Sequence, residues 1–107
     1  MDEYRIQADF FKALAHPLAL KVLNVLANNN KCVCEMAESI GEGQPQVSRV
    51  LSRLKKAGLV ELSKNGVKAC YRIKSPEVKI LLEISAAVIK QETESIMQAM
   101  KKKKGGF

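Results

Sequence analysis

No apolar run among the 107 residues approaches the ~18–20 that a membrane span requires. The acidic opening MDEYRIQADFF has neither the basic start nor the small-residue cleavage site of a secretory leader. These absences predict a cytoplasmic protein, with no membrane partner. The single histidine, His16, adjoins Pro17, and no Ser-His-Asp set, glycine-rich phosphate loop or paired carboxylates offers a catalytic centre. An enzyme is therefore not expected. Cysteine is scarce, and three residues, an odd count, favour thiols or metal ligands over structural disulfides in a cytoplasmic chain. What remains is ordinary for a folded globular domain: 47% hydrophobic and 27% charged residues, enough for one domain with a thin core.

The positive charge is concentrated. Residues 45–74 hold eight basic side chains (Arg49, Arg53, Lys55, Lys56, Lys64, Lys68, Arg72 and Lys74) against one acid, Glu61, so this block alone matches the net charge of +7 of the whole chain. Residues 1–44 and 75–100 are each slightly acidic, and Lys101–Lys104 add a basic tail. A solvated face normally mixes signs, whereas a one-signed block between acidic flanks fits a polyanion such as nucleic acid.

Apolar spacing predicts a mainly helical chain with one small β-hairpin. Ile6, Phe10, Phe11 and Leu14 recur at helical spacing over residues 2–14, and Ala15-His16-Pro17 interrupts that helix. A second helix follows over residues 17–28, then a short strand at Cys32-Val33 and a helix stopped by Gly41. After the turn Gly41-Glu42-Gly43, a helix opening at Pro45 runs to Ala57, with Gly58 as its left-handed cap. Its apolar side is Val47, Val50, Leu51 and Leu54, leaving Gln46, Ser48, Arg49, Ser52, Arg53 and Lys56 outward. Leu59–Ile73 reads as a hairpin about Asn65-Gly66, with Val60, Leu62, Tyr71 and Ile73 alternating. Ser75-Pro76-Glu77 opens a long last helix. Residues 1–100 thus form one domain, and 101–107 are expected to be a disordered basic tail.

Helix, glycine-bearing turn, outward-polar helix and basic hairpin make a winged helix-turn-helix pattern. The major groove admits one helix, whose outer side chains reach base edges. Gln44 and Gln46 are suited to adenine, Arg49 to guanine, and Ser48 to phosphate or base, with Arg53 as a further DNA-binding residue on the same outward face. The wing, Lys64 to Lys68, is suited to the neighbouring backbone or minor groove. A plain surface helix beside a hairpin explains the elements but not the position of the charge. A winged-helix module for protein or RNA stays open as a different class of function.

The runs Lys12-Ala13-Leu14-Ala15-His16-Pro17, Cys32-Val33-Cys34-Glu35-Met36-Ala37 and Gln44-Pro45-Gln46-Val47-Ser48-Arg49, with Leu54 and Ala57-Gly58-Leu59-Val60, resemble the ArsR/SmtB family of prokaryotic metal- and metalloid-responsive repressors. The resemblance covers about residues 8–90. It implies a homodimer joined through its first and last helices, bound to a palindromic operator in double-stranded DNA at the nucleoid and released by an effector. Matched residue by residue, it implies DNA contacts at Gln46, Ser48, Arg49 and the wing around Lys64–Lys68, and a helix-break role for His16-Pro17.

The same resemblance points to the effector. In the family's arsenite sensors the cysteine-valine-cysteine run is joined by a third cysteine three residues on, where this chain has Ala37. The remaining thiol is Cys70. Soft thiolates select soft ions, so As(III) or Sb(III) is expected on Cys32, Cys34 and Cys70, with Cd(II), Pb(II) or Zn(II) as further candidates. If the short strand pairs with the returning wing strand, strict alternation puts Val33, Tyr71 and Ile73 on the core face and all three cysteines on the other. Residues 76–100 contain no histidine, which argues against the family's zinc site on the last helix. Two alternatives remain: oxidation or persulfide formation linking Cys70 with Cys32 or Cys34, and cysteines serving only as small buried apolar residues.

Overall fold

The computed structural model describes residues 2–65 and 68–105. Gly66 and Val67, assigned by the sequence to the tip of the wing, lie outside the described residues. The chain divides into two compact units, Met1–Pro76 and Glu77–Phe107.

In the first unit, helix α1 spans Glu3–Leu14, capped by Asp2, whose carboxylate accepts from the Tyr4 N–H at 3.0 Å. Pro17 cannot extend it, and His16 takes an extended conformation (φ −151°, ψ 129°) before helix α2, Pro17–Asn28. The two helices are bent by 82° at this break. Among the described residues no single helix is long and apolar enough to cross a membrane. The apolar side of α2 (Ala19, Val22, Leu23 and Leu26) is the centre of the core.

Strand β1, Lys31–Cys32, leads directly into helix α3, Val33–Ile40. Gly41 ends α3 at φ +81°, its N–H donating to the Ala37 carbonyl at 2.9 Å. Helix α4, Gln44–Lys56, follows and buries Val47, Val50, Leu51 and Leu54. Gly58 at φ +81° closes it, and the Leu59 N–H returns to the Leu54 carbonyl at 2.9 Å. Strands β2, Val60–Asn65, and β3, Lys68–Ile73, form the hairpin, and β3 is central in an antiparallel sheet of order β1-β3-β2. Leu23, Leu51, Leu54 and Leu59 are fully buried, each contributing about 1.5–3 kcal/mol relative to exposure. Helix α5, Pro76–Gly105, starts at the last residue of the first unit and supplies the second, taking in Lys101–Lys104 where the sequence suggests a disordered tail.

Two expectations about the sheet change. The strand predicted at Cys32-Val33 ends at Cys32, because α3 begins at Val33; strict alternation therefore stops before Cys34. On β3 it is Cys70 that is buried, at 4% exposure, whereas Tyr71 and Ile73 are half-buried. The central strand packs against α2 and α3 as well as its two neighbours, and the packing buries Cys70 more deeply than Tyr71 or Ile73.

Candidate nucleic-acid interface and thiol site

The second helix-turn-helix element is α4. Burying Val47, Val50, Leu51 and Leu54 turns Gln44, Gln46, Ser48, Arg49 and Arg53 to solvent, and all five are exposed. The helix contains no acid, and Arg53, Lys55 and Lys56 occupy its last turn. Those cations also complement the negative end of the helix dipole, a structural role compatible with phosphate binding. Glycine is the N-cap (Gly43) and supplies no side chain to cover the first N–H groups, while Pro45 lacks one.

The hairpin contributes a second basic segment. Lys68 is exposed at the start of β3, opposite Asn65; Lys64 lies in β2 opposite Ala69. Arg72 is not free: its Nε donates to the Glu61 carboxylate at 2.8 Å, across the register pair Glu61↔Arg72. The only acid of the basic block is thereby matched to one of its eight cations.

The thiols divide two and one. Register places Cys32 directly opposite Cys70, with Cα atoms 3.9 Å apart, and their sulfurs are joined as a disulfide. Thiols or metal ligands are expected of this chain, with oxidation of Cys70 onto Cys32 or Cys34 as an alternative; antiparallel pairing sets these two side chains on the same face, close enough to bond. Both residues are buried, at 8% and 4% exposure. Cys34 stands apart, exposed on the first turn of α3 with its thiol free. Among the described residues no three cysteine, histidine or acidic side chains converge on one point. The three-thiol cluster is thus a pair with a third thiol two residues along the chain. Ala37, at the position of the family's third cysteine, is buried in the core.

Two capping contacts, one beside this pair and one at the start of α2, escape a reading of the sequence. The Glu35 carboxylate accepts from the Cys32 N–H at 3.1 Å, half of a capping box that fixes the start of α3. Its signal was the acid three residues after Cys32, disguised because cysteine is a rare cap. His16 has a defined role as the cap of α2, its Nδ1 accepting from the Leu18 N–H at 3.2 Å.

Comparison with known proteins agrees with this architecture. The family model described as "Bacterial regulatory protein, arsR family" matches residues 16–61. An uncharacterised HTH-type transcriptional regulator of Methanocaldococcus jannaschii is 36% identical over 85 residues, covering 78% of this chain and 96% of the relative. The solution structure of a homodimeric winged helix-turn-helix DNA-binding domain from Mycobacterium bovis, described as a possible ArsR-family regulator, superposes with a TM-score of 0.81 at 30% identity, covering 86% of this chain and 85% of that one. The crystal structure of AntR, an antimony-specific transcriptional repressor, gives a TM-score of 0.68 at 30% identity, covering 79% of this chain and 78% of that one.

Proposed function

The chain belongs to the arsR family of bacterial regulatory proteins and is a DNA-binding transcriptional repressor, not an enzyme; from this premise we propose that it releases a palindromic operator when a thiophilic metalloid, As(III) or Sb(III), is taken up by its cysteines. The observation that carries the reading is the direct opposition of Cys32 and Cys70 at the root of the wing, with Cys34 free two residues away. Thiolate sulfur is soft and suits such an ion. Ligation requires the thiolate forms, so the Cys32–Cys70 bridge must first be reduced by thiol exchange, two equivalents of a small-molecule thiol or one dithiol leaving as their own disulfide. Cys32 and Cys70 would then supply two sulfurs and Cys34 the third. The similarity to an antimony-specific repressor supports this class of effector.

The location explains how such a site reaches DNA. Cys32 joins β1 to α3, the first helix of the helix-turn-helix, and Cys70 lies in the returning strand of the wing. Drawing Cys34 toward the pair alters the start of α3 and the wing root together. In a dimer the two copies of α4 must meet half-sites one DNA turn, ~34 Å, apart. A small change in their spacing therefore weakens both contacts, and a coupling of about 1–3 kcal/mol is typical.

A second reading is favoured by the bond itself: oxidation of the Cys32–Cys70 dithiol is the signal, and two electrons and two protons pass to a peroxide or polysulfide. Titration of the reduced protein on its operator with arsenite, and separately with hydrogen peroxide or polysulfide, tells the two apart. Arsenite release that is abolished in Cys32→Ser/Cys70→Ser and weakened at least tenfold in Cys34→Ser is expected for the metalloid site. Release by oxidant alone, unchanged in Cys34→Ser, would replace it with the redox reading. Release by arsenite in the double variant would overturn the cysteine assignment.

A further inference from the structure

Between α1 and α4 lies a groove that shares Arg49 and Arg53 with the polar face of α4 and adds two cations, Lys12 and Lys56, that neither base reading nor the wing uses. A cleft of about 650 Å³ is lined by Lys12, His16, Arg53 and Lys56, with Asp9 and three alanines. A smaller depression of about 160 Å³ shares His16 and Arg53 with it and continues along α4 to Gln46 and Arg49. The two make a continuous run from the base-reading end of α4 to the end of α1. Four cations, Lys12, Arg49, Arg53 and Lys56, border it, and among the described residues none of them forms an ion pair. The one acid, Asp9, lies 3.9 Å from the Arg5 guanidinium. His16 accepts at Nδ1 from the Leu18 N–H, which leaves Nε2 as the ring nitrogen available to donate. The alanines keep the cleft open.

We propose that this groove is a second phosphate seat, in which Lys12, His16, Arg53 and Lys56 hold the DNA backbone beside the half-site that α4 reads. The proposal rests on α4 entering operator DNA. Charge complementarity and continuity with the polar face of α4 select the backbone as occupant. Contacts of this kind set position and affinity but carry no base information.

The test uses the full chain with Lys12→Ala/Lys56→Ala, measuring affinity for operator and for random duplex of equal length across a series of salt concentrations. Each lost phosphate contact flattens the log K against log salt slope by about 0.9. The double variant should therefore lose about 2 in slope per protomer and bind both duplexes about tenfold or more weakly at ~0.1 M salt, with the operator-to-random ratio unchanged. Lys12→Arg/Lys56→Arg should restore slope and affinity, and an unchanged melting midpoint would show that the alanine variant is folded. A wild-type slope and affinity in the alanine variant would overturn the proposal, while intact operator preference in the wild type would leave the DNA reading standing. Loss of that preference in the wild type would instead defeat the DNA reading itself. Inorganic phosphate or a nucleoside diphosphate binding at micromolar levels in the wild type but not in the alanine variant, with the DNA slope unaltered, would make the groove a small-molecule site and overturn the backbone assignment.

Discussion

At the scale of single residues, the DNA-reading role proposed for α4 makes separable claims. Arg49 is exposed on α4 and has the guanidinium that pairs bidentately with guanine. Arg49→Ala is expected to cost about 1–3 kcal/mol in operator affinity while affecting random duplex less, so the operator-to-random ratio falls. Competition binding at fixed salt checks it; an equal loss on both duplexes would make Arg49 a phosphate contact. Gly58 shows a purely conformational requirement. It sits at φ +81°, and an added Cβ would meet nothing within 4 Å. Gly58→Ala is therefore expected to destabilise the fold by about 1–2 kcal/mol through the left-handed backbone alone. A lowered denaturant midpoint at constant m-value, with DNA specificity intact, is the expected signature.

At the scale of elements, the Cys32–Cys70 bridge ties the start of α3 to β3 across a sequence separation of 38. Closing a loop of that length removes conformational entropy from the unfolded chain worth about 4 kcal/mol. Reduction is expected to lower the stability of the oxidised protein by up to that amount, read as a fall in melting midpoint. Cys32→Ser/Cys70→Ser should have the reduced midpoint whatever the redox state. If reductant leaves the midpoint of the oxidised wild type unmoved, the bridge does not constrain this junction.

The same elements show what a sequence can and cannot convey. The helix breaks at Pro17, Gly41 and Gly58 and the hairpin about Asn65 were legible because each has a local cause in ring closure, positive φ or turn chemistry. The outward set on α4 was legible because its four buried residues follow helical spacing. The thiol arrangement depended on something less local. Once Asn65 pairs with Lys68, the register sets Ser63 against Cys70 and Glu61 against Arg72. No such rule specifies where β1 joins, and a slip of one residue would move Cys32 to the other face. That Cys34 leaves the pair follows from the strand yielding to α3 at Val33, and such an element boundary is set by Glu35 capping the Cys32 N–H as much as by propensity. The groove lined by Lys12 and Lys56 joins residues 44 positions apart in the chain, and nothing in either neighbourhood announces the other.

At the scale of the whole molecule, the proposed reading of a palindromic operator would need two copies of α4 in fixed relation, and α5 carries an apolar surface suited to pairing. Ile80, Ile84 and Val88 recur every fourth residue, and they are 53%, 57% and 60% exposed in one chain. Ile89, Ile96 and Met97 are exposed as well. An isolated helix of this composition gains little by showing a row of large apolar side chains to water, whereas burying them against a second copy contributes about 25 cal/mol per Å². A homodimeric relative shows that the architecture supports pairing. Ile84→Glu/Val88→Glu places four like charges at the pairing surface of a dimer and is expected to give a monomer by sedimentation at micromolar concentration. Because the two half-site contacts then no longer reinforce each other, operator affinity should fall by at least a hundredfold, toward that of a single α4 on its half-site. Helical content by circular dichroism should persist, since these side chains are already exposed in the single chain. A variant that still sediments as a dimer would move the interface away from this face of α5.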